Sequence, residues 1–86
     1  MSDELKSQIK QAIVRSLKLP IDPNEIDRAA PLFGAGLGLD SIDALELVLE
    51  LERSFGVAIT DEATGARVLR TVNTIAEYVE ANRKPA

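Results

Sequence analysis

The sequence predicts an all-α fold, a four-helix bundle with three long helices, one short helix and a long first loop. Apolar residues recur at helical spacing near both ends of the 86-residue chain, and one central segment is rich in helix formers without any glycine or proline. Strand signals are absent except near residues 57–60. Because a chain of this length holds a single core, residues 1–86 are expected to form one domain.

The first helix is predicted over residues 3–18. Its apolar positions follow one another at spacings of 4, 3, 1 and 4, and they are Leu5, Ile9, Ala12, Ile13 and Leu17. Residues 20–40 contain three prolines and three glycines with no sustained period, which predicts a long connection with one helical turn after Pro23. The connection is too apolar for a free linker, so we expect it to cover the core.

The second helix is predicted over residues 41–55, ending at Gly56. Residues 60–62 can begin a short third helix, which Gly65 weakens. Thr71 is the expected cap of a last helix that stops before Pro85.

The second helix has more apolar residues than one buried face requires. At about 100° per residue, one arc of roughly 100° forms a complete core face and contains Ala44, Leu47, Val48, Leu51 and Phe55. A second arc contains Ile42, Leu45 and Leu49, beside Ser41 and bordered by Asp43, Glu46 and Glu50. This arc is either a scatter of ordinary surface apolar residues or a docking surface inside an acidic rim.

Ser41 is predicted to be the first residue of the second helix, with Asp40 as its N-cap. The serine either has a capping role or is a site that another enzyme modifies. A phosphate attached there would meet unpaired helix amides and the positive end of the helix dipole, partly offset by repulsion from Asp40 and Asp43.

Composition narrows the classes of function. The chain has no cysteine and no histidine, so it lacks a thiolate nucleophile and the commonest general base, and Ser41 has no partner that could activate it for catalysis. A net charge of −4 disfavours nucleic acid. No apolar run is long enough to cross a membrane, and the N-terminus lacks the apolar core of a signal peptide, so an intracellular protein is expected.

Acidic residues are concentrated in the middle of the chain. Residues 40–62 contain seven acidic side chains against Arg53 as their only basic one. This pattern indicates either a basic protein partner or an ordinary solvated face.

Residues 38–47 read GLDSIDALEL and resemble the attachment motif of acyl carrier proteins. The resemblance extends along the whole chain, through the Phe55-Gly56-Val57 end of the second helix to the last helix with Tyr78. It implies that a magnesium-dependent transferase attaches a 4′-phosphopantetheine arm from coenzyme A to Ser41 through a phosphodiester. The protein would then be a non-catalytic carrier that holds acyl groups as thioesters on the arm. A cytoplasmic monomer is expected, because a docking patch that engages several enzymes in turn is best left free.

The same resemblance implies partners with basic docking surfaces. They include the phosphopantetheinyl transferase and acyl-processing enzymes such as ketosynthases of fatty acid, polyketide or specialised lipid biosynthesis. The residues that would contact them are Asp40, Ile42, Asp43, Glu46, Leu49 and Glu50. An acyl tail would enter a cleft lined by Ala44, Leu45 and Val48 together with Val68 and Ile75 of the last two helices.

Three arginines depart from the family pattern. Family members of primary fatty acid synthesis usually have an acidic residue where Arg53 stands, and their third helix is more acidic than one containing Arg67 and Arg70. These departures, with Ile42 in place of leucine, suggest an accessory carrier of a specialised pathway, and the two arginines of the third helix suggest a polar entrance to the cleft. The alternative function is an unmodified acidic helical bundle that binds proteins through Ile42 and Leu49.

Overall fold

The computed structural model describes residues 3–33 and 41–82, apart from the side chain of Ser41. The helices in these ranges are α1 (Asp3–Leu17), α2 (Ser41–Phe55), α3 (Glu62–Val68) and α4 (Val72–Asn82), with a 3₁₀ turn at Pro23–Glu25. Three long helices and one short helix are therefore confirmed, as is the helical turn after Pro23. Among the described residues, none of the helices combines the length and the apolar character that a membrane span requires.

Both long helices of the first half end where a residue takes a left-handed conformation. Lys18 has a φ of 52°, and the Leu19 amide donates to the Val14 carbonyl at 3.1 Å, so α1 ends at Leu17, one residue earlier than predicted. Gly56 has a φ of 69° and ends α2 at the predicted residue.

Side-chain caps fix the short helix α3 and the start of α4. The Asp61 carboxylate accepts a hydrogen bond from the Thr64 amide at 2.7 Å. The Thr71 hydroxyl accepts from the Thr74 amide at 3.1 Å, and the Thr74 hydroxyl accepts from the Thr71 amide at 3.0 Å while donating to the Val68 carbonyl at 2.7 Å. The predicted cap at Thr71 is confirmed, and the same pair of threonines holds the end of α3.

The core lies where α1 packs against α2 and α4. The largest side chains that are fully buried come from these three helices and from the first loop, and they are Ile9, Ile13, Leu32, Leu47, Leu51, Val72, Ile75 and Val79. Burying each such side chain contributes about 1.5–3 kcal/mol. On α2, Ala44, Val48 and Phe55 are half-buried against this core, so the predicted core face is confirmed.

The first loop covers the core, as expected. Ile26 and Leu32 are buried, and two backbone hydrogen bonds join the loop to the α3–α4 connection and to the first turn of α4. The Leu32 amide donates to the Arg70 carbonyl at 2.8 Å, and the Asn73 amide donates to the Arg28 carbonyl at 2.9 Å. Ile21 and Phe33 are partly buried against the core, and Leu37 and Leu39 lie outside the described residues.

Candidate functional site

Helix α2 begins at Ser41, the residue at which the sequence predicts modification. The first amides of an α-helix have no intrahelical carbonyl partner and lie at the positive end of the helix dipole. A phosphate-bearing group attached at this position is therefore electrostatically favoured. Asp40, the predicted N-cap, and the side chain of Ser41 lie outside the described residues.

The solvent-facing side of α2 has an apolar patch formed by Ile42, Leu45 and Leu49. Their exposed fractions are 71%, 61% and 51%, and they are the exposed large hydrophobic residues of the described part of the chain. Since the core face of α2 is complete without them, the predicted second arc is confirmed. Such a cluster on one helix face is typical of a surface that a partner covers.

The acidic surroundings of the apolar patch differ from the prediction at one residue. Glu46 is exposed and Asp43 is half-buried, so both are near solvent. Glu50 was expected on the same rim, but that expectation is wrong about its placement, because only 4% of this residue is exposed. Its carboxylate lies between α1 and α2 and is not a free surface charge.

Three donors surround the Glu50 carboxylate. Arg15 of α1 binds Oε2 at 2.6 Å, Arg53 binds Oε1 at 2.6 Å, and the Ser54 hydroxyl donates to Oε2 at 2.6 Å. The hydrogen bond from Ser54, followed by those from the two guanidinium groups, lowers the pKa of Glu50 from 4.5 to about 2, although burial opposes the change. Glu50 therefore stays ionised, and it links α1 to the last turn of α2.

A cleft of about 570 Å³ opens beside the apolar patch. Helix α2 lines it with Ala44, Leu45 and Val48, as the sequence predicts. Its other walls come from the end of the first loop, the segment before α3 and α3 itself, through Phe33, Ile59, Thr60, Asp61, Glu62, Gly65, Ala66 and Leu69. A cavity of this size and apolar character fits the tail of a small organic ligand.

Two predicted lining residues belong to the core instead. Val68 is 2% exposed and Ile75 is fully buried, because these side chains point between the helices rather than into the cleft. The predicted polar entrance at Arg67 and Arg70 is also wrong, since neither lines the cleft. The polar groups of the cleft come from the consecutive residues 60–62.

The segment before α3 is held from both sides. The Ile59 amide donates to the Glu52 side chain at 3.0 Å, and the Tyr78 hydroxyl donates to the Ala58 carbonyl. At its end, hydrogen bonds from the amide and hydroxyl of Thr64 lower the pKa of Asp61. These contacts fix the wall of the cleft that faces α2. The run at residues 60–62, which the sequence predicts as the start of the third helix, also lines this wall.

Comparison with known proteins agrees with this geometry. The family described as phosphopantetheine attachment site matches residues 7–79. The chain is 36% identical over 75 residues to the acyl carrier protein of Wolinella succinogenes, covering 87% of this chain and 92% of that protein. It has the same identity and coverage with the acyl carrier protein of Helicobacter hepaticus. With a phosphopantetheine-attachment match over most of its length and relatives of this similarity, the chain belongs to the acyl carrier protein family.

Proposed function

We propose that Ser41 carries the 4′-phosphopantetheine arm of this protein and that acyl tails on the arm enter the cleft between α2 and α3. Family membership gives the chain a covalent 4′-phosphopantetheine and a carrier role for acyl intermediates in biosynthesis. The observation that supports the site is the apolar cleft lined by Ala44, Leu45 and Val48, on the helix that begins at Ser41.

The arm supplies a thiol, which the chain itself lacks because it has no cysteine. When bound, it holds acyl groups as thioesters. The protein contributes the rest of the function: the helix terminus favours the phosphate, the cleft shields the tail from water, and the apolar patch meets partner enzymes. Each Å² of apolar tail removed from water contributes about 25 cal/mol.

The proposal includes a docking role for exposed residues of α2. Ile42 and Leu49 anchor the partner, and Glu46 steers the approach of its basic surface. Asp40 and Asp43, at the start of the helix, belong to the same docking set. Glu50 is assigned a different role, which is to hold Arg15 and Arg53. The partners are the phosphopantetheinyl transferase that modifies the protein and acyl-processing enzymes such as ketosynthases. A cytoplasmic, monomeric carrier domain over residues 1–86 is part of the same proposal.

Mass spectrometry after incubation with coenzyme A, magnesium and a broad-specificity transferase tests the site. The wild type should gain one phosphopantetheine, and Ser41→Ala should gain none. Ser7→Ala is the matched control, because Ser7 is an exposed serine on α1, and this variant should be loaded normally. Loading of Ser41→Ala would contradict the assignment of the site. A wild type that several transferases fail to load would instead favour the unmodified interaction module.

A further inference from the structure

The exposed stripe of α2 changes charge along its length. Ile42, Glu46, Leu49 and Arg53 follow one another at spacings of 4, 3 and 4 and therefore share one face of the helix. The Arg53 side chain is 76% exposed. A carboxylate thus lies in the first half of the stripe and a guanidinium lies in its last turn, with Leu49 between them.

Helix α1 adds a second cation beside Arg53. The Arg15 side chain is 65% exposed. Its guanidinium binds Oε2 of Glu50, and the Arg53 guanidinium binds Oε1 of the same carboxylate. Because both groups contact the single Glu50 carboxylate, they lie side by side at the surface. We call Arg15 and Arg53 the basic pair.

Glu50 does not cancel the basic pair. It contributes one negative charge against two positive charges, and its side chain is only 5% exposed. A guanidinium has five N–H donors in a planar fork, and in each arginine the contact with Glu50 is made through Nη2. Both groups therefore present further donors to solvent. The basic pair is thus a local cationic surface near the C-terminal end of α2, where the neighbouring Glu52 carboxylate accepts from the Ile59 amide, within a segment whose sequence is strongly acidic.

We infer that α2 docks on a partner enzyme whose surface has opposite charges at its two ends: basic groups opposite Glu46 and a carboxylate opposite the basic pair. This inference rests on the proposed carrier function and specifies the chemistry of the partner. Guanidinium forks match carboxylates in a bidentate geometry, which gives orientation as well as attraction. Leu49, half-exposed between the two charged ends, requires an apolar pocket between them, which a protein surface provides and a free anion does not.

A wholly basic docking surface fits this helix poorly. It would attract Glu46 but would place like charges against Arg53, which raises the free energy of that complex relative to one with a carboxylate there. The basic pair therefore selects between partners, and it also fixes the direction in which α2 lies across the partner.

The test uses a ketosynthase with a wholly basic docking surface, together with variants in which each basic rim residue is changed singly to glutamate. Binding to the phosphopantetheine-loaded carrier is measured by surface plasmon resonance. At least one glutamate variant should bind the wild-type carrier about fivefold more tightly than the parent ketosynthase does. A gain of about fivefold is the change in affinity that one favourable exposed charge pair can produce. Arg53→Gln and Arg15→Gln should lose this gain, and Arg53→Lys should retain part of it.

Arg70→Gln is the control, because it removes the same charge from an exposed arginine in the connection between α3 and α4. It should keep the fivefold gain. The inference is overturned if no glutamate variant binds better, or if Arg70→Gln behaves like Arg53→Gln. It is also overturned if inorganic phosphate perturbs the NMR signals of both guanidinium groups while no glutamate variant gains affinity, since the basic pair would then be an anion site.

Thermal melts of each variant keep a folding defect separate from a docking defect, and Arg53→Lys maintains the charge if Arg53→Gln is unstable. The mass of every carrier sample is measured after loading. If the carrier is loaded normally but its affinity does not depend on the charge of the ketosynthase surface, the docking inference alone is rejected. A wild type that cannot be loaded rejects the proposed function.

Discussion

Replacement of Glu50 by glutamine removes a buried charge while preserving the size of the side chain. The lowering of the Glu50 pKa from 4.5 to about 2 corresponds to about 3.5 kcal/mol of folding free energy at about 1.4 kcal/mol per pKa unit. We take this as an upper value, because Arg15 and Arg53 are largely exposed and water screens their charges. Glu50→Gln keeps one oxygen that can accept from Ser54, but it removes the negative charge that strengthens the Ser54 hydrogen bond and both arginine contacts.

The pH dependence distinguishes lost charge from lost packing. A carboxylate with a lowered pKa in the folded state stabilises the protein above pH 4.5, and this contribution disappears as the pH falls toward 2. The difference in free energy of unfolding between wild type and Glu50→Gln should therefore be greatest at pH 7 and fall to about two-fifths of that value at pH 3. Urea unfolding followed by circular dichroism at pH 7, 5, 4 and 3 measures this difference.

Glu77→Gln is the control for that experiment, because it neutralises an exposed carboxylate on α4. Its effect should stay within about 0.5 kcal/mol at every pH. If the destabilisation of Glu50→Gln is as large at pH 3 as at pH 7, the charge of Glu50 is not its source. A Glu50→Gln protein as stable as wild type at pH 7 would refute the role assigned to the arginine contacts.

Two further predictions concern the proposed docking and the cleft. Glu46→Lys should slow association with the transferase, and Leu49→Ala should speed dissociation, as measured by surface plasmon resonance at two salt concentrations. Binding that does not depend on salt and that Glu46→Lys leaves unchanged would refute steering by charge. The melting temperature of the acylated protein should rise with acyl chain length in the wild type. It should rise less in Gly65→Val, because the added methyl groups narrow the cleft. Gly65→Ala is the control, because its Cβ would lie 3.5 Å from Ile59, which is an ordinary contact. Equal melting temperatures for all chain lengths would contradict burial of the acyl tail in the cleft.

The sequence was sufficient where local chemistry decides the structure. The bounds of α2 followed from a run without glycine or proline that ends at Gly56, and the exposure of Ile42, Leu45 and Leu49 followed from helical periodicity. Glu50 was misplaced because its burial depends on Arg15, which lies on another helix. Periodicity gives the position of a residue around its own helix, but it does not say which neighbouring helix covers that position.

The cleft was predicted only on its α2 side for the same reason. Val68 and Ile75 have the apolar character of lining residues, yet the packing of α3 against α4 directs them into the core. The opposite wall depends on a non-helical segment held by Glu52 and Tyr78. Such contacts between distant parts of a chain leave no periodic signal in the sequence.

The two hydrogen bonds that join the first loop to Arg70 and to the first turn of α4 have a topological consequence. By joining the Leu32 amide to the Arg70 carbonyl and the Arg28 carbonyl to the Asn73 amide, they close a long chain loop that contains all of α2. The entropy lost in closing such a loop is lost once, when the protein folds. A partner that docks on α2 therefore meets a helix that is already folded and packed against α1, and the contacts it makes with Ile42 and Leu49 contribute to affinity rather than to ordering the chain.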